Sequence, residues 1–177
     1  MNKQNNNRAL TAVLLSVGLL SIVSTSATAA PPIDLSESAT FPAGSLCDFA
    51  VRLDITGKAK VIGPDPDITK VPASHKVISP NFKVTTTAVD AEGNAISEPV
   101  TYTATGTVFF TLTERANKSP YYEVKATGNN LLFVPGEGLV FVTGNANYGI
   151  ETDKATEVRP VSGEARRVNI CDPLEVN

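Results

Sequence analysis

Residues 129–144 read Asn-Asn-Leu-Leu-Phe-Val-Pro-Gly-Glu-Gly-Leu-Val-Phe-Val-Thr-Gly. Two apolar tetrads, 131–134 and 139–142, flank Pro135-Gly136-Glu137-Gly138. Proline presets one backbone dihedral and glycine admits positive φ, which together make a turn. Apolar runs this short, bounded by such a turn, suit strands covered on both faces. The stretch predicts a hairpin in the middle of a β-sheet core, with the other strands packed around it.

Working outward, period two recurs. Tyr122, Val124 and Ala126 alternate with Glu123, Lys125 and Thr127, the pattern of a half-buried strand. In 101–112, Tyr102, Ala104, Val108, Phe110 and Leu112 share one parity, and Gly106 between them predicts a bulge or corner. Phe49, Val51, Leu53 and Ile55 alternate with Ala50, Arg52, Asp54 and Thr56. Gly57 then predicts a turn or bulge before a second short strand at 58–62. Further strands are expected at 76–78, ended by Ser79-Pro80, and at 82–89, 146–151, 156–161 and 167–171. The proline-rich segment 63–67 and the polar segments 90–94 and 116–120 read as loops or turns. The tail beyond Cys171 offers little to pack. No apolar repeat at i, i+3, i+4, i+7 persists after the N-terminal segment, and Thr and Val abound, which favours strands. The expected fold class is all-β: a single antiparallel β-sandwich or β-barrel of about 8–10 strands.

The N-terminus is organised differently. Residues 1–8 are polar with Lys3 and Arg8, residues 9–23 are almost wholly apolar, and residues 24–30 are small, ending Ala-Thr-Ala-Ala. That is the layout of a secretory signal peptide, with cleavage after Ala29. The competing reading, an uncleaved anchor, needs an apolar run of about 20 residues, which this segment does not reach. The expected division is 1–29 signal peptide, 30–45 flexible leader and 46–177 one all-β domain, with Phe41 as a residue that could tuck against the core. No cysteine lies near the cleavage site, so no lipid anchor is expected there.

The chain has 177 residues with 15 basic and 18 acidic side chains; removing Lys3 and Arg8 with the signal peptide leaves a net charge of −5. Such a balance opposes nucleic-acid binding, and no later segment is long and apolar enough to span a bilayer. Cys47 and Cys171 are the two cysteines. Export places them in an oxidising compartment, where an even count favours a disulfide. Free thiols or a redox pair are the competing readings, although no Cys-x-x-Cys is present. A bridge would require the ends of the first and last strands to be spatial neighbours.

The segments 41–49 (Phe-Pro-Ala-Gly-Ser-Leu-Cys-Asp-Phe), 127–133 (Thr-Gly-Asn-Asn-Leu-Leu-Phe), Gly138 to Thr143-Gly144, and Ser162-Gly163 to Ile170-Cys171-Asp172-Pro173-Leu174 resemble a group of small secreted proteins of actinobacteria. The group has no assigned activity. The resemblance implies export, the disulfide and a single β domain, and it carries over no functional residue.

Chemistry-bearing patterns are sparse. A nucleophilic hydroxyl needs a base within reach. The one histidine, His75, follows Ser74, but neighbours on an extended chain point apart, and His75 reads as a solvated loop residue. One histidine and two cysteines cannot furnish a zinc site. Asp65 and Asp67 could offer calcium two carboxylates, without the remaining ligands of a calcium loop. An acidic pair for glycoside hydrolysis could arise from any of the 18 acids, and none stands out. Glu137 reads as an exposed hairpin tip, Arg166-Arg167 as a solvated strand face, and Asn117-Lys118-Ser119 as a glycosylation sequon of little weight in a bacterial-type exported chain. Tyr121 and Tyr122 are adjacent, so one should face outward, and an exposed tyrosine on a β face suits ligand or partner contact. The lack of tryptophan counts against a sugar-binding platform. No cofactor is expected. The expected function is that of an exported, non-enzymatic β-domain that binds a ligand or protein partner or serves the cell envelope. The alternatives are a carrier of small apolar ligands inside a β-barrel, and a hydrolase using an acidic pair.

Overall fold

A computed structural model describes residues 31–63, 73–116, 118–151 and 156–174. Every regular element among them is a strand: β1 (Ile33–Phe41), β2 (Ala50–Ile62), β3 (Ala73–Val89), β4 (Val100–Ala104), β5 (Thr107–Arg115), β6 (Lys118–Val134), β7 (Gly138–Glu151), β8 (Glu157–Ser162) and β9 (Ala165–Asn169). They form one antiparallel sheet of nine strands in the order β1-β2-β3-β5-β6-β7-β8, with β4 on β3 and β9 on β7. The sheet does not close into a barrel.

The central hairpin forms as its sequence implies. Leu131 pairs with Phe141, Leu132 with Val140, and Phe133 with Leu139. Its two faces serve different cores. Leu131, Leu139 and Phe141 pack with Val51, Leu53, Val84, Ala88 and Tyr102 of β2–β4, the Tyr102 and Phe141 rings lying 5.0 Å apart. Leu132, Val134, Val140 and Val142 pack instead with Val108, Val124, Ala126, Ala146 and Tyr148.

That second contact is possible because the hairpin is folded over along its own length. Tyr148 pairs with Val124, yet its hydroxyl donates to the Phe133 carbonyl at 3.1 Å. On a straight strand nine residues cover about 30 Å, far beyond the reach of a tyrosine. The fold falls at Gly128 and Gly144, which are paired partners with φ of 79° and 114°, a backbone that a Cβ disfavours. At the same level, Gly106 separates β4 from β5, as its position in the sequence suggests. Its amide donates to the Asn129 carbonyl at 2.7 Å, and a Cβ there would lie 2.3 Å from the Asn130 amide nitrogen. Asn130 is buried and donates to the Thr127 carbonyl at 3.0 Å.

The sheet therefore bends over itself, and its β7–β9 end lies beneath its β1–β2 end. Ile170 and Leu174, after β9, are buried in the first core. The Cys47–Cys171 disulfide, with Cα atoms 5.7 Å apart, fastens the overlap.

Several expectations need correction. The segment expected as a flexible leader, 30–45, contains β1, paired without interruption to β2 from Ile33↔Ala59 to Phe41↔Val51. Its alternation is Leu35, Glu37, Ala39, Phe41, too weakly apolar to read as a strand, but Leu35 and Phe41 are buried. Cys47 thus follows the first strand. The two cysteine-bearing ends do lie side by side, as the bridge requires, but across layers, because in the sheet β9 pairs with β7. Gly57 makes no turn, and β2 runs through it as one strand, but the irregularity of register that it suggested lies one residue on, between Lys58 and Lys60. Ser79-Pro80 does not end β3: Pro80 falls where β3 exchanges one partner for another, β5 along 73–78 and β4 along 82–86, so no ladder amide is needed there. The tail beyond Cys171 does pack, through Leu174.

Candidate functional site

The outward face of the sheet over β3, β5, β6, β7 and β8 carries the most unusual surface chemistry. Register partners in an antiparallel sheet share a face. One row across it reads Ile62, Lys76, Phe109, Lys125, Asn147. The adjacent row reads Lys60, Ile78, Thr107, Thr127, Asn145. Phe109 is 42% exposed and Ile62 39%, the most exposed large apolar side chains among the described residues. Lys76 Nζ lies 5.4 Å from the Phe109 ring centroid, within cation–π range. Among the described residues, Lys60, Lys76 and Lys125 make no ion pair.

The far end of this face is polar. Tyr121 lies here, opposite Glu151. Its ring rests over Gly149, whose missing Cβ would meet it at 3.2 Å, and the Arg115 guanidinium sits 5.6 Å above the ring. Arg115 Nη2 pairs with Glu151 at 2.6 Å, and Arg159 Nη2 with Glu123 at 2.9 Å. Glu123 and Glu151 are diagonal neighbours, about 7 Å apart at Cα. A hydrolase using an acidic pair would need two such neighbouring carboxylates. Each carboxylate faces its own guanidinium, however, whereas a general acid needs an apolar pocket or a like charge to keep its proton. The arrangement suits a rigid, ion-paired platform.

The other sequence candidates lie elsewhere. Tyr122 points to the opposite side of the sheet, edge-on to Phe110 with centroids 6.1 Å apart. His75 is not in a loop: it belongs to β3, half-buried, and stacks on Phe110 at 4.9 Å. Ser74, its neighbour, is exposed. Glu137 at the hairpin tip accepts from Arg167 through its carboxylate, and from Asn169 Nδ2 through its carbonyl at 2.7 Å. The pair locks the tip to β9, while Arg166 remains exposed. Asp65, Asp67 and Asn117 lie outside the described residues. Among the described residues no three His, Cys, Asp or Glu side chains come together as a metal site would need, and no helix is long and apolar enough to cross a membrane.

The row of lysines with Phe109 and Ile62 was not visible in the sequence. Its members come from four strands and meet only through register. The available signal was local: Phe109 lies on the polar parity of 107–113, where an aromatic is out of place.

Comparison with family models, with curated proteins and with solved structures gave no match.

Proposed function

We propose that this chain is an exported, non-enzymatic binding domain that acts at or outside the cell envelope, and that the outward face of β3–β8 is its recognition surface. One observation carries the reading: Ile62, Lys76, Phe109 and Lys125 stand in one row, the apolar groups exposed and the lysines without ion-pair partners among the described residues. A solitary exposed apolar residue means little. An exposed aromatic between cations, on a domain whose mature net charge is −5, is what an interaction face requires. Export is supported by the layout of residues 1–30, and the disulfide suits an oxidising compartment. The Arg115–Glu151 and Arg159–Glu123 pairs hold the face rigid, which lowers the ordering cost of binding.

The test is sedimentation of the exported protein with envelope fragments from the cells that produce it. The variant Lys76→Glu/Lys125→Glu should retain the strand-rich circular dichroism spectrum and bind roughly tenfold more weakly. Unchanged binding by the folded double variant would remove this face from consideration.

A further inference from the structure

We infer that the partner of this face is a bilayer surface bearing anionic headgroups. The inference rests on the binding reading above and names its partner.

Three features select a membrane. First, the face gathers cations from three strands on one side of the sheet, because alternate residues of a strand point the same way. Lys76 and Lys125 flank Phe109 on neighbouring strands, so they stand about 10 Å apart. Lys60 adds a third cation beside Ile62 and Ile78. An extended anionic surface can meet all three together.

Second, apolar and cationic groups alternate. Phe109 and Ile62 project between the lysines with 42% and 39% of their surface exposed. A hydrophilic polyanion gives such groups nothing to bury against. At a bilayer the same pattern has two uses: the apolar groups enter the headgroup–acyl boundary, and the lysine stems lie along it with their ammonium ends among phosphates.

Third, the sign is local. Among the described residues, the acidic groups standing in the next rows of this face, Glu123 and Glu151, are each paired with an arginine, which leaves the three lysines as the net charge of these rows. The rest of the domain is acidic and is repelled by an anionic surface, which orients the molecule with this face toward the membrane. Contact through this face is peripheral and reversible.

Three lysines near an anionic surface predict roughly a hundredfold preference over a neutral one at low salt. The experiment is flotation of the exported full-length protein with vesicles of phosphatidylcholine, with and without phosphatidylglycerol. Binding to the mixed vesicles, weak binding to phosphatidylcholine alone, and release by added salt are expected. Lys76→Glu/Lys125→Glu should abolish the preference. Phe109→Ser, at a surface position that leaves the core intact, should weaken binding while preserving the salt dependence. Equal partition onto both vesicle types would overturn the inference, as would undiminished binding by the folded lysine variant. Soluble polyphosphate serves as the competing arm. If it binds and vesicles do not, or if envelope fragments bind through this face and protein-free vesicles do not, the lipid assignment falls and the binding reading stands.

Discussion

Tyr148 places a phenol where water does not reach it, with a single hydrogen bond to the Phe133 carbonyl. Burial disfavours the phenolate and pushes its pKa far above the ordinary 10.0. Tyr102 is shifted the same way, by burial and by the charge of Asp172, with the Thr86 hydroxyl opposing. The Tyr102 hydroxyl nonetheless has no hydrogen bond of good geometry, since Thr86 donates to the Val100 carbonyl at 3.3 Å. Both phenols are neutral in the folded protein while the unfolded chain ionises near 10.0. Their contribution to stability is complete below that pH and declines as pH rises beyond it. Urea midpoints should therefore be insensitive to these groups at neutral pH and fall above pH 10.0, and Tyr148→Phe should make the alkaline decline shallower. A decline of equal slope in that variant would remove Tyr148 as its cause. At this scale the sequence was readable wherever alternation was strong: the parity of Val51 and Leu53, or of Val124 and Ala126, coincides with burial. His75 was not readable, because Ser74 and Lys76 beside it are polar and its stacking partner Phe110 is supplied by another strand.

Edge strands must be kept from pairing with other chains. The two ends of the strand order do this differently. β8 contains Pro160, which cannot donate to a ladder, and its pairing with β7 is irregular. β1 has no proline, no lysine and no bulge, but Glu37 stands on the same parity as the buried Leu35 and Phe41 and stays exposed. A charge on the core-facing side of an edge is a known guard. Glu37→Val should complete an apolar stripe on an open nine-residue edge, and the protein should shift toward dimers and larger species in analytical ultracentrifugation. A strictly monomeric variant would mean that the edge is guarded by something else. The same residue explains why β1 escaped notice in the sequence. A strand that is protected by a carboxylate and small polar residues resembles a leader. β3 escaped as one piece for a related reason: Pro80 usually marks an end, and here it marks the place where one neighbour gives way to another.

For the molecule as a whole, period two and glycine-proline turns made the fold class, the strand number and the central hairpin legible. The overlap of the sheet was not legible, because it depends on paired glycines, Gly128 and Gly144, whose partnership exists only in register. The disulfide joins residues 124 apart. Constraining so long a loop in the unfolded chain contributes about 4–5 kcal/mol in the chain-entropy account. The Cys47→Ala/Cys171→Ala variant should lose most of that in chemical denaturation, and the overlap of β1–β2 on β7–β9 should be the first region to exchange its amide hydrogens. Uniform exchange across the sheet would instead show that the overlap holds without the bond.

The placement of the two cysteines also sets an order of events during biogenesis. Cys47 precedes β2 and Cys171 follows β9. On the proposed export, a chain delivered to the oxidising side from its N-terminus would expose one thiol long before the other arrives. For that interval Cys47 is open to mixed disulfides with small thiols or with a second nascent chain. Cys47 shares its core with Leu139, Ile170 and Leu174, so its burial and the bridge are completed together, once β7 and β9 have folded over β1 and β2.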